Sequence, residues 1–489
     1  MAVIYLIAFG SFWVQVDGLI GSDGILPAPI QFSRLAANTS YFELPSLLLF
    51  MPSDVGLHIL CALGCATAIF LLLDLLSPIA AIGAWAIYLS LIHAGQVFMS
   101  FQWDVLLVEY GFLSIWVSLW LIFSNHKSLL SKTCEKLIYA SIIILAFKLM
   151  FSSGVVKIFG GGSWLDLTAL KYHFFTQPIP GPLSSWLHKL PESLLTFACA
   201  TTFYLELLVP LALLIPSKSL RHMAAMQLIG LQILFMLSGN FAFFNLLSIV
   251  IFIPLLSFTS SDIPNFSAHN SPILANVTKI VFLITSLILI FLLFLNLKVI
   301  WNTCKLENIL PITISQRING FIKSSSVQEK AIKPFLLVNS YGLFARMTTR
   351  RPEIQIQASI DGRIWKNYEF KYKLNGVHQK LSQVAPHQPR LDWQMWFAAL
   401  RGTFPDRGWL PNFILRLLQN EKSVKKLLKA SPYDKKPRFI RAYIVFYEFE
   451  NSDTIQNIWK IVDERLFFGP VELNSKKSRG DAETSNSRS

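Results

Sequence analysis

Charge is scarce in this 489-residue chain. Only 15% of its residues are Asp, Glu, Lys or Arg, against about 25% in an ordinary globular protein. With 53% apolar residues and a mean hydropathy of +0.48, that shortage excludes a disordered chain and a string of conventional soluble domains. Cysteine is scarce too: Cys61, Cys65, Cys134, Cys199 and Cys304, with none beyond. All five lie in or beside apolar runs, so there is no disulfide framework, and an odd number leaves at least one thiol free. No zinc-ligand spacing is present, and no metal or cofactor is expected. The run Gly160, Gly161, Gly162 lacks the Gly-Lys-Ser/Thr ending of a phosphate loop.

The charge that is present is unevenly placed. Residues 1–304 carry 12 Lys+Arg and 12 Asp+Glu, whereas residues 305–489 carry 31 and 17, so the net +14 resides wholly in the second part. The expected organisation is a polytopic transmembrane helical domain over 1–304, a linker over 305–334, a soluble α+β domain over 335–473 and a disordered tail over 474–489. A basic domain beside a bilayer fits anionic lipid or an acidic protein surface. No nucleic-acid motif accompanies it, so nucleic acid is not an expected partner.

Nine apolar runs are candidate spans: 1–20, 55–76, 79–99, 105–123, 137–157, 193–215, 223–238, 240–257 and 277–297. The seventh and eighth are short and separated by Gly239, which predicts about eight or nine spans. Lys127, Lys132 and Lys136, and then Lys218 and Arg221, mark two basic loops for the cytoplasmic side. Counting outward puts the loops at 21–44, 100–104, 158–192 and 239 on the opposite side, together with the C-terminal half. Among the sequons, Asn38-Thr-Ser falls on that side and is a glycosylation candidate, whereas Asn265 and Asn276 fall on the basic side.

Ionisable residues inside spans need partners or functions. Glu109 with Lys148, and Glu206 with Lys157, are the expected pairs. Asp104 suits the first turn of a helix and Trp103 an interfacial belt. In the loop 158–192, Ser163 is placed to cap a short helix, Asp166 and His173 resemble half of an acid–base pair, and the aromatics suggest a segment lying on the membrane surface. Gly18, Gly21, Gly24, Pro27 and Pro29 punctuate the exit of the first run, either as a turn or as a loop presenting Asp17 and Asp23. In the soluble half, 335–349 and 353–360 read as strands, Asp361-Gly362 as a hairpin turn, 390–400 and 409–429 as helices, and 439–450 as a returning strand. Arg346, Arg350 and Arg351, with Trp365, Trp393 and Trp396, form a candidate basic and aromatic binding surface; a solvated basic edge is the plain alternative.

The strings Gly18–Ala28, Phe101–Gly111, Phe151–Pro182, Ser238–Asn245, Asn339–Lys373 and Pro386–Leu400 together resemble the lipase maturation factor family. The resemblance implies a multi-pass membrane protein of the endoplasmic reticulum with a large lumenal C-terminal domain. It also implies clients, secreted homodimeric lipases among them, whose folding and assembly it assists. The cysteine-free soluble half fits a bacterial member as well, with a periplasmic face. The expected fold is thus an α-helical multi-pass bundle followed by a mixed α/β, β-sandwich-like domain, and the expected activity is non-enzymatic. A rival reading follows from a looser similarity of the apolar half to the vitamin K-dependent carboxylase group. It makes Glu109, Lys157, Asp166 and His173 acid–base candidates in a membrane enzyme.

Overall fold

The computed structural model describes residues 1–36, 38–123, 129–256, 272–305, 330–450 and 457–473. Most of the expected linker, the tail, Lys127 and the Asn265 sequon therefore lie outside the described residues. The helices are α1 (Ala2–Trp13), α2 (Val16–Ile20), α3 (Ala28–Leu35), α4 (Asp54–Leu72), α5 (Ser77–Gly95), α6 (Gln102–Phe123) and α7 (Leu129–Gly160). They continue as α8 (Ala169–Thr176), α9 (Ser184–His188), α10 (Glu192–Phe203), α11 (Val209–Leu214), α12 (Lys218–Ser238), α13 (Phe244–Phe252) and α14 (Pro272–Thr303). Seven stretches among them are long and apolar enough to cross a membrane, while Ala2–Trp13 and Phe244–Leu255 are shorter apolar helices. All nine expected runs are thus helical, but two fall well short of the roughly 20 residues a span needs.

The chain divides into two compact units, and the division differs from the expected cut at Cys304. The helical unit comprises Met1–Trp13, Phe32–Thr349 and Leu381–Gln388; the mixed unit comprises Val14–Gln31, Arg350–Lys380 and Pro389–Ser489. In the helical unit α1 packs on α4, α4 on α5 and α5 on α6, while α7 is the hub, touching α6, α11, α13 and α14. The segment 335–349, expected as a strand, is an irregular strap in this unit. Side chains of the bundle take its backbone groups in place of a ladder: Asn339 N donates to Glu109 Oε2 at 2.9 Å and Gly342 N to Gln102 Oε1 at 3.1 Å. The segment 381–388 behaves alike, with Val384 N donating to Asn240 Oδ1 at 2.6 Å and Gln388 N to Ser11 Oγ at 2.8 Å. Pro180 bridges Gly239, and Trp164 Nε1 donates to the Phe344 carbonyl at 2.8 Å. The loops around 100, 160–180 and 239 thus meet the strap and 381–388 at one end of the bundle.

The mixed unit is built on an antiparallel sheet of order β2-β1-β5-β6, from β1 (Arg351–Ser359), β2 (Lys366–Asn367), β5 (Phe439–Phe449) and β6 (Trp459–Glu472). A two-stranded ribbon pairs β3 (Glu369–Phe370) with β4 (Leu428–Ala430). Among the described residues the sandwich likeness reduces to this four-stranded sheet and the small ribbon, with α15 (Arg390–Arg401) laid on β1, and with α16 (Trp409–Gln419) and α17 (Lys422–Lys425). The Asp361-Gly362 turn forms as read: Gly362 adopts φ 76°, a left-handed conformation that glycine takes at no steric cost. Asp361 Oδ1 accepts from Arg363 N and Ile364 N.

The first glycine-rich segment also belongs here. A Cβ on Gly18 would lie 2.5 Å from the Ser423 carbonyl and 2.6 Å from Leu427 Cγ, so α2 approaches α17 in a way only glycine permits. Arg416 Nε donates to the Gly24 carbonyl at 2.9 Å. Asp17 and Asp23 remain exposed.

Candidate functional site

Pro210 stands four residues after Glu206, where a helix needs an N–H to serve the Glu206 carbonyl. Proline has none. The helix between α10 and α11 widens into a π-helical turn over Tyr204–Leu208, and Val209 N donates to the Tyr204 carbonyl five residues back. Such π-bulges recur at functional sites. This one carries Glu206, whose carboxylate oxygens accept from Lys157 Nζ of α7 at 2.9 and 2.7 Å. Lys157 Nζ also reaches the Ser153 carbonyl at 3.3 Å and lies 5.2 Å from the Trp164 ring centroid. The approach is close because Gly154 faces the π turn, and a Cβ there would lie 2.6 Å from Leu207 Cδ2.

The pair lines a cavity of about 400 Å³ whose walls include Leu149, Leu231, Phe235 and Phe344. His173 of α8 lines it too, its ring 5.0 Å from that of Phe344 and 6.3 Å from that of Phe241. Burial, and secondarily the Lys157 charge, push the His173 imidazole down to about 4, so at neutral pH it carries no charge. Gln232 and Asn245 add to the polar lining beside Ser153, Thr201, Thr202 and Ser238, with Asn245 Nδ2 donating to Gln232 Oε1 at 3.0 Å. Sequence reading missed this last pair. An amide in the middle of an apolar helix was the available signal.

Glu109 forms a second node. Its Oε1 accepts from Lys148 Nζ at 2.5 Å, and its Oε2 from Asn339 N, Asn339 Nδ2 and Tyr341 Oη at 2.9, 3.1 and 2.6 Å. Lys148 also donates to Asn296 Oδ1 at 2.5 Å. Burial first, and Glu109 second, hold the Tyr341 phenol well above its usual range. Both expected ion pairs are therefore formed. Glu109 spends its acceptors on tethering the strap to α6 and α7, whereas Glu206 and Lys157 face open space.

Other expectations need correction. Asp166 is exposed and His173 buried, and no hydrogen bond joins them. The short 3₁₀ turn at Gly162–Trp164 starts from Gly161, without a Ser163 cap. The loop 158–192 turns Trp164, Phe174 and Phe175 inward and leaves Trp186 exposed. Trp103 is buried and stacked on Phe101 at 4.8 Å, so its ring packs inside the protein rather than on an exposed face. Asp104 lies in the first turn of α6 as expected, accepting from Tyr88 Oη at 2.5 Å.

In the mixed unit, Arg351, Trp393 and Trp396 are 1%, 3% and 7% exposed, so they are core rather than surface. Arg351 Nη2 donates to Glu353 Oε1 at 2.6 Å, Lys373 Nζ holds the other oxygen at 3.2 Å, and the Arg351 guanidinium lies 5.0 Å from the Trp459 ring. The two tryptophans lie on the buried face of α15, which packs on β1. Of the proposed surface, Arg346 of the helical unit and Arg350 of the mixed unit are exposed, and Trp365 is half-buried under Arg441. Asn38 is exposed. Among the described residues no three His, Cys, Asp or Glu side chains gather as metal ligands.

A bundle of membrane-length helices enclosing a largely apolar cavity that holds a few polar groups, joined to an α/β unit, defines a multi-pass membrane protein. Residues 1–262 match the lipase maturation factor transmembrane domain and residues 337–468 the lipase maturation factor C-terminal domain. The chain is 32% identical to lipase maturation factor 2 of Gallus gallus, across 92% of this chain and 77% of that one. It is 29% identical to lipase maturation factor 2 of Homo sapiens (97% and 82% covered) and 28% identical to lipase maturation factor 1 of Mus musculus (98% and 86%). No solved structure matches the chain. The chain belongs to the lipase maturation factor family.

Proposed function

We propose that this protein is a membrane-anchored maturation factor. It assists the folding and assembly of secreted clients, lipases among them, on the lumenal side of the endoplasmic reticulum membrane, or on the periplasmic side in a bacterium. The observation that carries this reading is the reach of the family likeness, which includes both the helical bundle and the α/β unit. The mixed unit offers a surface suited to the task. β6 is an edge strand of 14 residues, with Ile461, Val462 and Leu466 about half exposed. An edge with unpaired backbone groups and apolar side chains adds an extended segment as a further strand, and partly folded chains expose such segments. Arg350 and Trp365 supply charge and an aromatic face in the same unit, and Arg346 supplies a charge in the helical unit.

The test is secretion of active lipase from cells lacking their own maturation factor and rescued with this chain. Trp365→Ala and Leu466→Lys are expected to reduce both active secretion and client co-purification severalfold. Unchanged secretion with both variants would sink the surface. A second reading, chemistry on a bound substrate, is favoured by the Lys157–Glu206 pair beside His173 in a cavity. Loss of maturation in Lys157→Gln with client capture intact would favour it.

A further inference from the structure

The cavity between α7, α10 and α12 is mostly hydrocarbon-lined, and its rim reaches the outer face of the bundle. Leu194 and Phe197 of α10 and Leu234 of α12 line it while being 46%, 67% and 60% exposed. Both helices lie in stretches long and apolar enough to cross a membrane, so the mouth opens sideways onto the region lipid occupies. At about 400 Å³ the space falls within the range of roughly 300–1,000 Å³ typical of small-molecule sites. A void of this size left empty forfeits the dispersion contacts of its walls.

The polar groups define what would enter. Lys157 and Glu206 satisfy one another, so the pair presents no net charge. His173 is 8% exposed and lines the cavity, and among the described residues its ring nitrogens make no hydrogen bond. A neutral imidazole offers one N–H and one lone pair. A charged headgroup drawn to this depth would lack a free counter-charge, which is costly; a hydroxyl or ester carbonyl would find a partner.

We propose that this cavity is a lipid site taking a neutral amphiphile laterally from the bilayer, with its apolar chain along the Leu and Phe walls and its hydroxyl or ester group hydrogen-bonded to His173. The inference is independent of the client-handling reading.

The experiment places the full chain in nanodiscs of zwitterionic phospholipid containing a monoacylglycerol with a diazirine in its acyl chain and an alkyne tag. After irradiation, the label is expected on peptides spanning 194–205 and 231–238. Unlabelled monoacylglycerol is expected to compete, and anionic phosphatidylglycerol is not. Ala198→Trp fills the cavity and is expected to lower labelling about tenfold, an affinity change of one decade. His173→Phe keeps the ring's bulk but removes its hydrogen bond, and half-maximal competition is expected to need about three- to tenfold more lipid. Leu231→Phe serves as a second filler should Ala198→Trp elute as aggregate. Undiminished labelling in a monodisperse filled variant, label confined to outward-facing residues as for annular lipid, or equal competition by phosphatidylglycerol would each overturn the proposal.

Discussion

Two buried acids of similar burial do different work because of what each has left to offer. Glu109 is saturated by a lysine, a backbone amide, a side-chain amide and a phenol. Among the described residues Glu206 is held only by Lys157, and it lines an open cavity. An ionisable group inside a span demands a partner, and for that reason both pairs were legible from residue type and position alone. The third group, His173, has a titration consequence. Its folded-state pKa of about 4 lies below the ordinary 6.5 because burial first, and the Lys157 charge on α7 second, disfavour the cation. Between those values the unfolded chain binds more protons, so this contribution is complete above pH 6.5 and is lost as pH falls toward 4. The full swing is about 3 kcal/mol at 1.36 kcal/mol per pKa unit. The thermal midpoint of the full chain should therefore fall across this window, and His173→Phe should fall less steeply. Parallel profiles for the two proteins would refute the assignment.

At the scale of elements, one proline and one glycine build the cavity floor. Pro210 removes the N–H that would have closed an α turn on Glu206, and Gly154 lets α7 come close enough for Lys157 to reach the π turn. A valine at 154 would press on Leu207 Cδ2 at 2.6 Å and Glu206 Cβ at 3.1 Å. Overpacking of this kind costs about 1–3 kcal/mol. Gly154→Val is thus expected to lower the thermal midpoint, with Gly230→Val, where a Cβ meets nothing within 4 Å, as the control. If both variants melt alike, Gly154 has no special packing role. Local pattern served well where it coincided with packing: β1, β5, the Asp361-Gly362 turn and α15 all lie where alternation, turn residues and amphipathic spacing put them. It failed for 335–349, whose β-branched and aromatic residues read as a strand. Glu109 and Gln102 lie more than 200 positions away in sequence, and no local pattern reveals that they capture its backbone. It failed again for Arg351, Trp393 and Trp396, because a basic or aromatic residue reads as surface unless its buried partners are known.

For the whole molecule the loop charges make a prediction about sidedness. Lys218 is exposed at the start of α12, and Arg346 is exposed on the strap at the other end of the bundle, where a Gly160 Cβ would meet the neighbouring Ala345 carbonyl. The native thiols are buried, apart from the half-buried Cys65, so single introduced cysteines report cleanly. In cells with only the plasma membrane permeabilised, an impermeant maleimide should label Lys218→Cys and spare Arg346→Cys. In a eukaryotic host, Asn38→Gln should abolish one glycan-sized mobility shift. The reverse labelling pattern would invert the topology and remove the lumenal reading.

Composition alone determined that this chain is a membrane protein with a basic, water-facing second part, because hydropathy and charge are sums over residues and need no contacts. Tertiary structure alone decided that the segment after the first helix belongs with the α/β unit, that the strap 335–349 belongs with the helices, and that a neutral cavity opens beside Lys157 and Glu206. Each of these depends on which distant groups meet, and a hydrogen bond or a steric fit between residues far apart leaves no periodic trace in the chain that carries them.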